Sequence, residues 1–189
     1  MSGGSLGMGL SYGIGVALAG RLDGRDYRTY VLVGDGECEE GQVWEAAMAA
    51  AHHKLDSLTA IVDRNGIQND RFTSEVTALE PLAAKWRAFG WQVVQANGHS
   101  FPSLLRAFNR ARETKGRPTV IIARTVKGKG ISFMENNPAF HGKAPSWEQT
   151  AQAMRELRVS RREAGQAMRT MGIGDERTDA LVDAMRALG

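Results

Sequence analysis

The chain has 189 residues, 42% hydrophobic and 24% charged, with a net charge of +3. That composition supplies a core for an α/β domain and excludes a disordered chain. No apolar run approaches the roughly 18 residues of a membrane span. The positive surplus lies late in the chain: residues 1–123 carry 13 basic and 13 acidic side chains, residues 124–189 carry 11 and 8. An excess that small, without interleaved aromatics, argues against nucleic acid as a partner. Cys38 is the single cysteine, so no internal disulfide forms and a reducing cytoplasm is the expected compartment. The first residues lack the basic segment and cleavage site of a secretory leader.

The segment from Gly7 to Leu22, "GMGLSYGIGVALAGRL", predicts a glycine-rich, mostly buried helix. Glycine disfavours helix by about 1 kcal/mol, so its repetition suggests close backbone packing or a ligand. "YRTYVLVGD" predicts a strand, "EEGQVWEAAMAAAHHKL" a helix and "SLTAIVDRN" a second strand. A polar loop is expected from Gly66 to about Val76. Thr77 and Glu80 then have the spacing of a capping box for a helix over "ALEPLAAKWRAFG". "WQVVQA" reads as a third strand, Ser100 as the cap of the next helix, and "RPTVIIARTV" as a fourth strand. Trp86, Phe89 and Trp91 are expected in the core. Strands alternating with helices, each strand a continuous apolar run, indicate a parallel sheet covered on both faces. "KGKGISFMENNPAFHGKAPS" follows as a long irregular loop. Capping boxes at Ser146/Gln149 and Ser160/Glu163 then open helices, and a last helix is expected over about 176–188.

Asp35 ends the first strand between Gly34 and Gly36, and Asn65 ends the next strand 30 residues later. One strand–helix–strand unit is about that long, so neighbouring strands would bring both side chains to the ligand-binding edge of the sheet. A carboxylate and an amide oxygen are hard donors, suited to Mg²⁺ or Ca²⁺ rather than zinc. Gly34 and Gly36 allow a tight turn and close approach of a diphosphate, with the next helix N-terminus aimed at the same place. Taken alone, an Asp between glycines favours an ordinary turn; the paired Asn65 brings the two readings to about even.

The spacing Gly-Asp-Gly, 28 residues, Asn is shared with thiamine diphosphate enzymes. Together with "GSLGMGLSYGIGVALAG", "GDGECEEGQVWEAAMAAAHHKL", "VDRNGIQ", "TVKGKGISFMENN" and "FHGKAPS", it resembles the diphosphate-binding domain of transketolase over about residues 3–157. The resemblance is greatest to the N-terminal subunit of the split, two-chain form. It implies an α/β thiamine diphosphate-binding fold, a parallel sheet sandwiched by helices, with residues 1–157 as an N-terminally truncated cofactor domain. Residues 158–189 lie beyond the resemblance and are expected to form an appended helical pair, a C-terminal helical extension. It implies that thiamine diphosphate and Mg²⁺ (with Ca²⁺ or Mn²⁺ as substitutes) are the cofactors, the metal held by Asp35, Asn65 and the carbonyl of Ile67. Gly4, Ser5 and Leu6 would lie at the aminopyrimidine end and Gly36 at the diphosphate. Lys127 and Lys143 would neighbour cofactor or substrate phosphate, His141 would stand near the thiazolium and substrate, and Glu40 would be an acid near the dimer interface linked to cofactor activation.

The implied reaction is transfer of a two-carbon ketol unit between sugar phosphates. The implied partner is a C-terminal transketolase subunit carrying the pyrimidine domain, giving a hetero-oligomer or dimer with no nucleic acid and no membrane. Two departures stand out. Family members carry a further N-terminal segment with Gly-His-Pro and Lys-Gly-His motifs, so those histidines are expected from elsewhere. Met8 stands where the family has glutamine, and a thioether cannot make an amide's hydrogen bonds. Two alternatives stay open: a transferase of the 1-deoxyxylulose-5-phosphate synthase kind, and a non-catalytic remnant domain. "GSLGMG" and "FHGKAPS" favour transketolase over the first.

Overall fold

The computed structural model describes residues 4 and 6–187. The chain divides into two compact units, residues 1–125 and 126–189. In the first unit the strands are β1 (Thr29–Gly34), β2 (Leu58–Arg64), β3 (Ile67–Gln68), β4 (Arg71–Phe72), β5 (Gln92–Asn97) and β6 (Thr119–Arg124). Four of them form a wholly parallel sheet in the order β1-β2-β6-β5, while β3 and β4 make a small antiparallel hairpin. The helices are α1 (Met8–Leu22), α2 (Gly41–His52), α3 (Thr73–Val76), α4 (Leu82–Ala88) and α5 (Phe101–Glu113).

Alternation along the strands explains why both faces are covered. Val31, Val33, Ala60, Val62, Val120 and Ile122 face a core shared with α1, α2 and α4. Ile61, Val94, Ala96 and Ile121 face the other way, into a core with α5. The glycines of α1 serve close packing: a Cβ on Gly13 would overlap Val31, and one on Gly20 would lie 2.6 Å from the Tyr27 ring. Trp86 and Trp91 are buried as expected, their rings 4.9 Å apart, and Trp44 joins them, stacked on Phe89 at 5.3 Å. Among the described residues, no helix is long and apolar enough to cross a membrane.

Two local expectations are corrected. The stretch after Gly66 is not a bare loop, since it holds the β3–β4 hairpin and the single turn α3. Thr77 is the last cap of α3 and not the start of a helix; α4 begins at Leu82, behind Pro81. Glu80 caps in another way, its Oε2 accepting from the Leu82 N–H at 2.9 Å.

In the second unit, residues 127–146 run through turns and one short 3₁₀ segment, Pro138–Phe140, before the helices α6 (Trp147–Glu156), α7 (Arg161–Thr170) and α8 (Asp175–Ala187). Both expected capping boxes form, at Ser146/Gln149 and Ser160/Glu163. Ala151 of α6 is buried with Ala164 and Met168 of α7 and Leu181 and Met185 of α8. The last two helices are therefore not a separate pair: α6 shares their core, and the unit begins at Val126.

Candidate functional site

β1 and β2 are adjacent and parallel, with Gly34 opposite Asp63, so the two chain segments leave the sheet side by side at its carboxyl edge. The Asp35 N–H donates to the Asp63 carbonyl at 3.2 Å, extending the ladder by one bond. Asp35 is 1% exposed and caps the 3₁₀ turn Gly36–Glu39. Its Oδ1 accepts from Gly36 N at 2.8 Å, and its Oδ2 accepts from Gly66 N at 2.6 Å and from Arg64 Nη1 at 2.7 Å. Burying a carboxylate is tolerable only with such partners.

Asn65 lies beside this cluster with its amide oriented at both ends. Its Nδ2 donates to Asp63 Oδ2 at 3.1 Å, and its Oδ1 accepts from Ile67 N at 2.9 Å. Asp63 is in turn held by the Thr125 hydroxyl, which donates to its Oδ1. The amide oxygen is thereby the face Asn65 turns away from Asp63, and it keeps one acceptor position unfilled by the bonds described.

Around Asp35 the loop is acidic. Glu37 accepts from Gly7 N through Oε1 and from Gly34 N through Oε2, each at 3.1 Å, tying the entry of α1 to the end of β1. Gln68 donates to Glu39 Oε2 at 2.6 Å, while Glu39 Oε1 is buried without a hydrogen-bond partner. Cys38, in the middle, is fully buried; burial pushes its thiol well above the usual range, and the Asp35 and Glu37 charges push the same way. It is a core side chain and no nucleophile.

Arg64 spans the site. Its Nη1 also donates to Thr73 Oγ1 at 3.1 Å and its Nη2 to Glu80 Oε1 at 3.2 Å. Burial alone would lower its pKa, but bonding to Asp35 and Glu80 outweighs burial and raises it. The Glu80 carboxyl is held below its ordinary value, first by the Leu82 N–H and then by Arg64. A cavity of about 350 Å³ opens here, its polar wall formed by Arg64, Asn65, Glu80, Gln95, Arg124 and Thr125.

The structure thus brings Gly34, Asp35, Gly36 and Asn65 to one edge of the sheet, as their spacing predicts, with the Ile67 N–H bonded to Asn65. Glu40 is exposed at the start of α2, and a Cβ on Gly7 would lie 3.0 Å from its own Cβ. Gly4 and Leu6 are exposed, and Ser5 lies outside the described residues. Lys127, His141 and Lys143 belong to the second unit, where Lys127 is half-buried and the other two are exposed. Arg64, Gln68, Glu37 and the Asp63–Thr125 pair were not among the expected site residues. Arg64 stands out only once β1 and β2 are paired, since the register of 34 with 63 sets 64 against 35.

The two side chains present fit a hard divalent cation: one buried carboxylate and one oriented amide oxygen, in an acidic loop. Among the described residues there is no cluster of three or more His, Cys, Asp or Glu side chains suited to a metal. A site of this kind leaves most positions to ligand oxygens and water.

Comparison with known proteins bears on the family and the fold. Residues 1–164 match the family model described as transketolase, thiamine diphosphate binding domain. The chain is 46% identical over 154 residues to one of the named subunits of the apulose-4-phosphate transketolase of Phocaeicola vulgatus, covering 82% of this chain and 55% of that protein. It is 44% identical over 157 residues to the 6-deoxy-6-sulfo-D-fructose transketolase subunit SqwG of a Clostridium species, covering 83% and 57%. It therefore spans little more than half the length of these curated relatives. The crystal structure of transketolase from Campylobacter jejuni superposes with a TM-score of 0.75 at 25% identity, over 97% of this chain and 31% of that one. With the family model matched over most of its length and relatives at this identity, the chain belongs to the transketolase family, through the thiamine diphosphate-binding domain.

Proposed function

We propose that this chain is the diphosphate-binding part of a thiamine diphosphate- and Mg²⁺-dependent ketol transferase, which moves a two-carbon unit from a ketose phosphate to an aldose phosphate. The single observation that carries it is the buried Asp35 carboxylate set beside the oriented Asn65 amide at the carboxyl edge of β1 and β2, in a chain matching the cofactor-domain family over residues 1–164. Asp35 Oδ1, Asn65 Oδ1 and the Ile67 carbonyl would hold the metal. When bound, thiamine diphosphate supplies the nucleophilic carbon that takes up and hands on the ketol unit. The protein's task is placement. Glu37 fixes the Gly7 loop against β1, and the segment Gly4, Ser5 and Leu6 just before it would serve the aminopyrimidine end. Lys127 and Lys143 would offer positive charge to phosphate groups, and His141 a donor or proton carrier at the substrate.

A partner with the pyrimidine domain completes this reading. Met8, Tyr12 and Val16, spaced four residues apart on α1, are each close to half exposed and, with Ser11, Gly15 and Gln42, border an open cavity of about 500 Å³. An apolar stripe of that kind suits a contact with a second chain. Relatives whose names describe them as transketolase subunits support a two-chain enzyme. The test is titration of thiamine diphosphate in the presence of Mg²⁺. Asp35→Asn should weaken binding more than tenfold, by about 1.4 kcal/mol or more, and Asn65→Ala should act in the same direction. Wild-type affinity in folded Asp35→Asn protein would remove Asp35 from the site.

A further inference from the structure

We propose that Arg64 makes metal binding conditional on the diphosphate, by acting as a built-in counter-cation on the one carboxylate among the metal donors. The inference rests on the assignment of Asp35, Asn65 and Ile67 as those donors. Asp35 is 1% exposed and its Oδ2 already accepts from Arg64 Nη1 at 2.7 Å and from Gly66 N at 2.6 Å. Its negative charge is thus matched before any metal arrives. Gly36 N occupies one position on Oδ1, leaving that oxygen the freer of the two. A divalent cation bound there without cofactor would sit beside the guanidinium in a poorly solvated loop, where like charges repel strongly.

Arg64 cannot simply swing away. Nη1 also donates to Thr73 Oγ1 and Nη2 to Glu80 Oε1, and its side chain is 20% exposed. A diphosphate would reverse the balance, because its negative charge would offset the metal and the guanidinium together. Metal and diphosphate then each raise the other's affinity, which is a coupling between ligands set by one side chain. Arg64 is a positioning residue in this account, since it acts on the metal through Asp35 and through charge.

Mn²⁺ serves as the probe, because loss of the free-ion electron paramagnetic resonance signal counts the bound metal directly. Wild type, Arg64→Met and Arg64→Lys are titrated with Mn²⁺, alone and with saturating thiamine diphosphate. Arg64→Met should bind Mn²⁺ alone about tenfold or more tighter than wild type, with a smaller gain on adding the cofactor. Arg64→Lys, which keeps the charge, should stay near wild type; a purely structural role would move both variants together. Should Arg64→Met lose its cooperative thermal transition, Arg64→Gln takes its place under the same criteria. If wild type binds Mn²⁺ with cofactor but the neutral variant binds Mn²⁺ alone no tighter, the Arg64 role is overturned and the metal site stands. If wild type binds no Mn²⁺ under either condition, the metal site falls, and the Arg64 role with it.

Discussion

Gly36 is small for a steric reason that lies 32 residues away: a Cβ on it would come 2.5 Å from the Cβ of Gln68. Gln68 is anchored to Glu39, so it has little room to yield. Gly36→Ala should therefore destabilise the protein by about 1–3 kcal/mol, read as a lower melting temperature. Gly41→Ala is the control, since a Cβ there meets nothing within 4 Å. An unchanged melting temperature for Gly36→Ala would show that Gln68 moves freely. The sequence could nominate Gly36, because glycines flanking an acid at a strand end are visible in one dimension. It could not name Gln68, whose approach depends on how the β3–β4 hairpin folds back. Asp35 and Asn65 were legible for the opposite reason, their spacing being fixed by one strand–helix–strand unit.

At the level of elements, the four sheet strands and most helices followed from apolar periodicity, and two of three capping boxes formed as read. The third failed for a reason also written in the chain. Glu80 precedes Pro81, and a residue before proline is pushed out of helical backbone, so no helix can run from Thr77 through position 80. Ser146 and Ser160 have no proline within their first helical turn. The grouping of α6 with α7 and α8 was not legible, because it depends on which apolar faces meet. It bears on truncation. The two cores around the sheet are built from residues between Leu10 and Ile122, all within the first unit. Deleting residues 158–189 should leave a cooperative thermal transition for the sheet, although Ala151 loses its cover. Loss of that transition would show that the sheet draws stability from the later helices.

For the molecule as a whole, the expectation is dependence on a second chain. This chain spans 55% and 57% of the two relatives described, and both are named as transketolase subunits. Alone, with saturating thiamine diphosphate and Mg²⁺, it should show no ketol transfer from a ketose phosphate. Addition of a pyrimidine-domain chain, together with a source of the family's substrate-binding histidines, should produce turnover; robust turnover by the single chain would sink the two-chain reading. The hydrogen bonding around Asp35 has a bearing on recombining such proteins. Asp63 gives its carbonyl to Asp35 and its carboxylate to Asn65, while Arg64 and Gly66 both bond Asp35. A chimera with its crossover between residues 36 and 62 takes Asp35 from one parent and every one of those partners from the other. A crossover just after Thr125 separates none of them. In laboratory shuffling, β1 and β2 should therefore be exchanged as a pair.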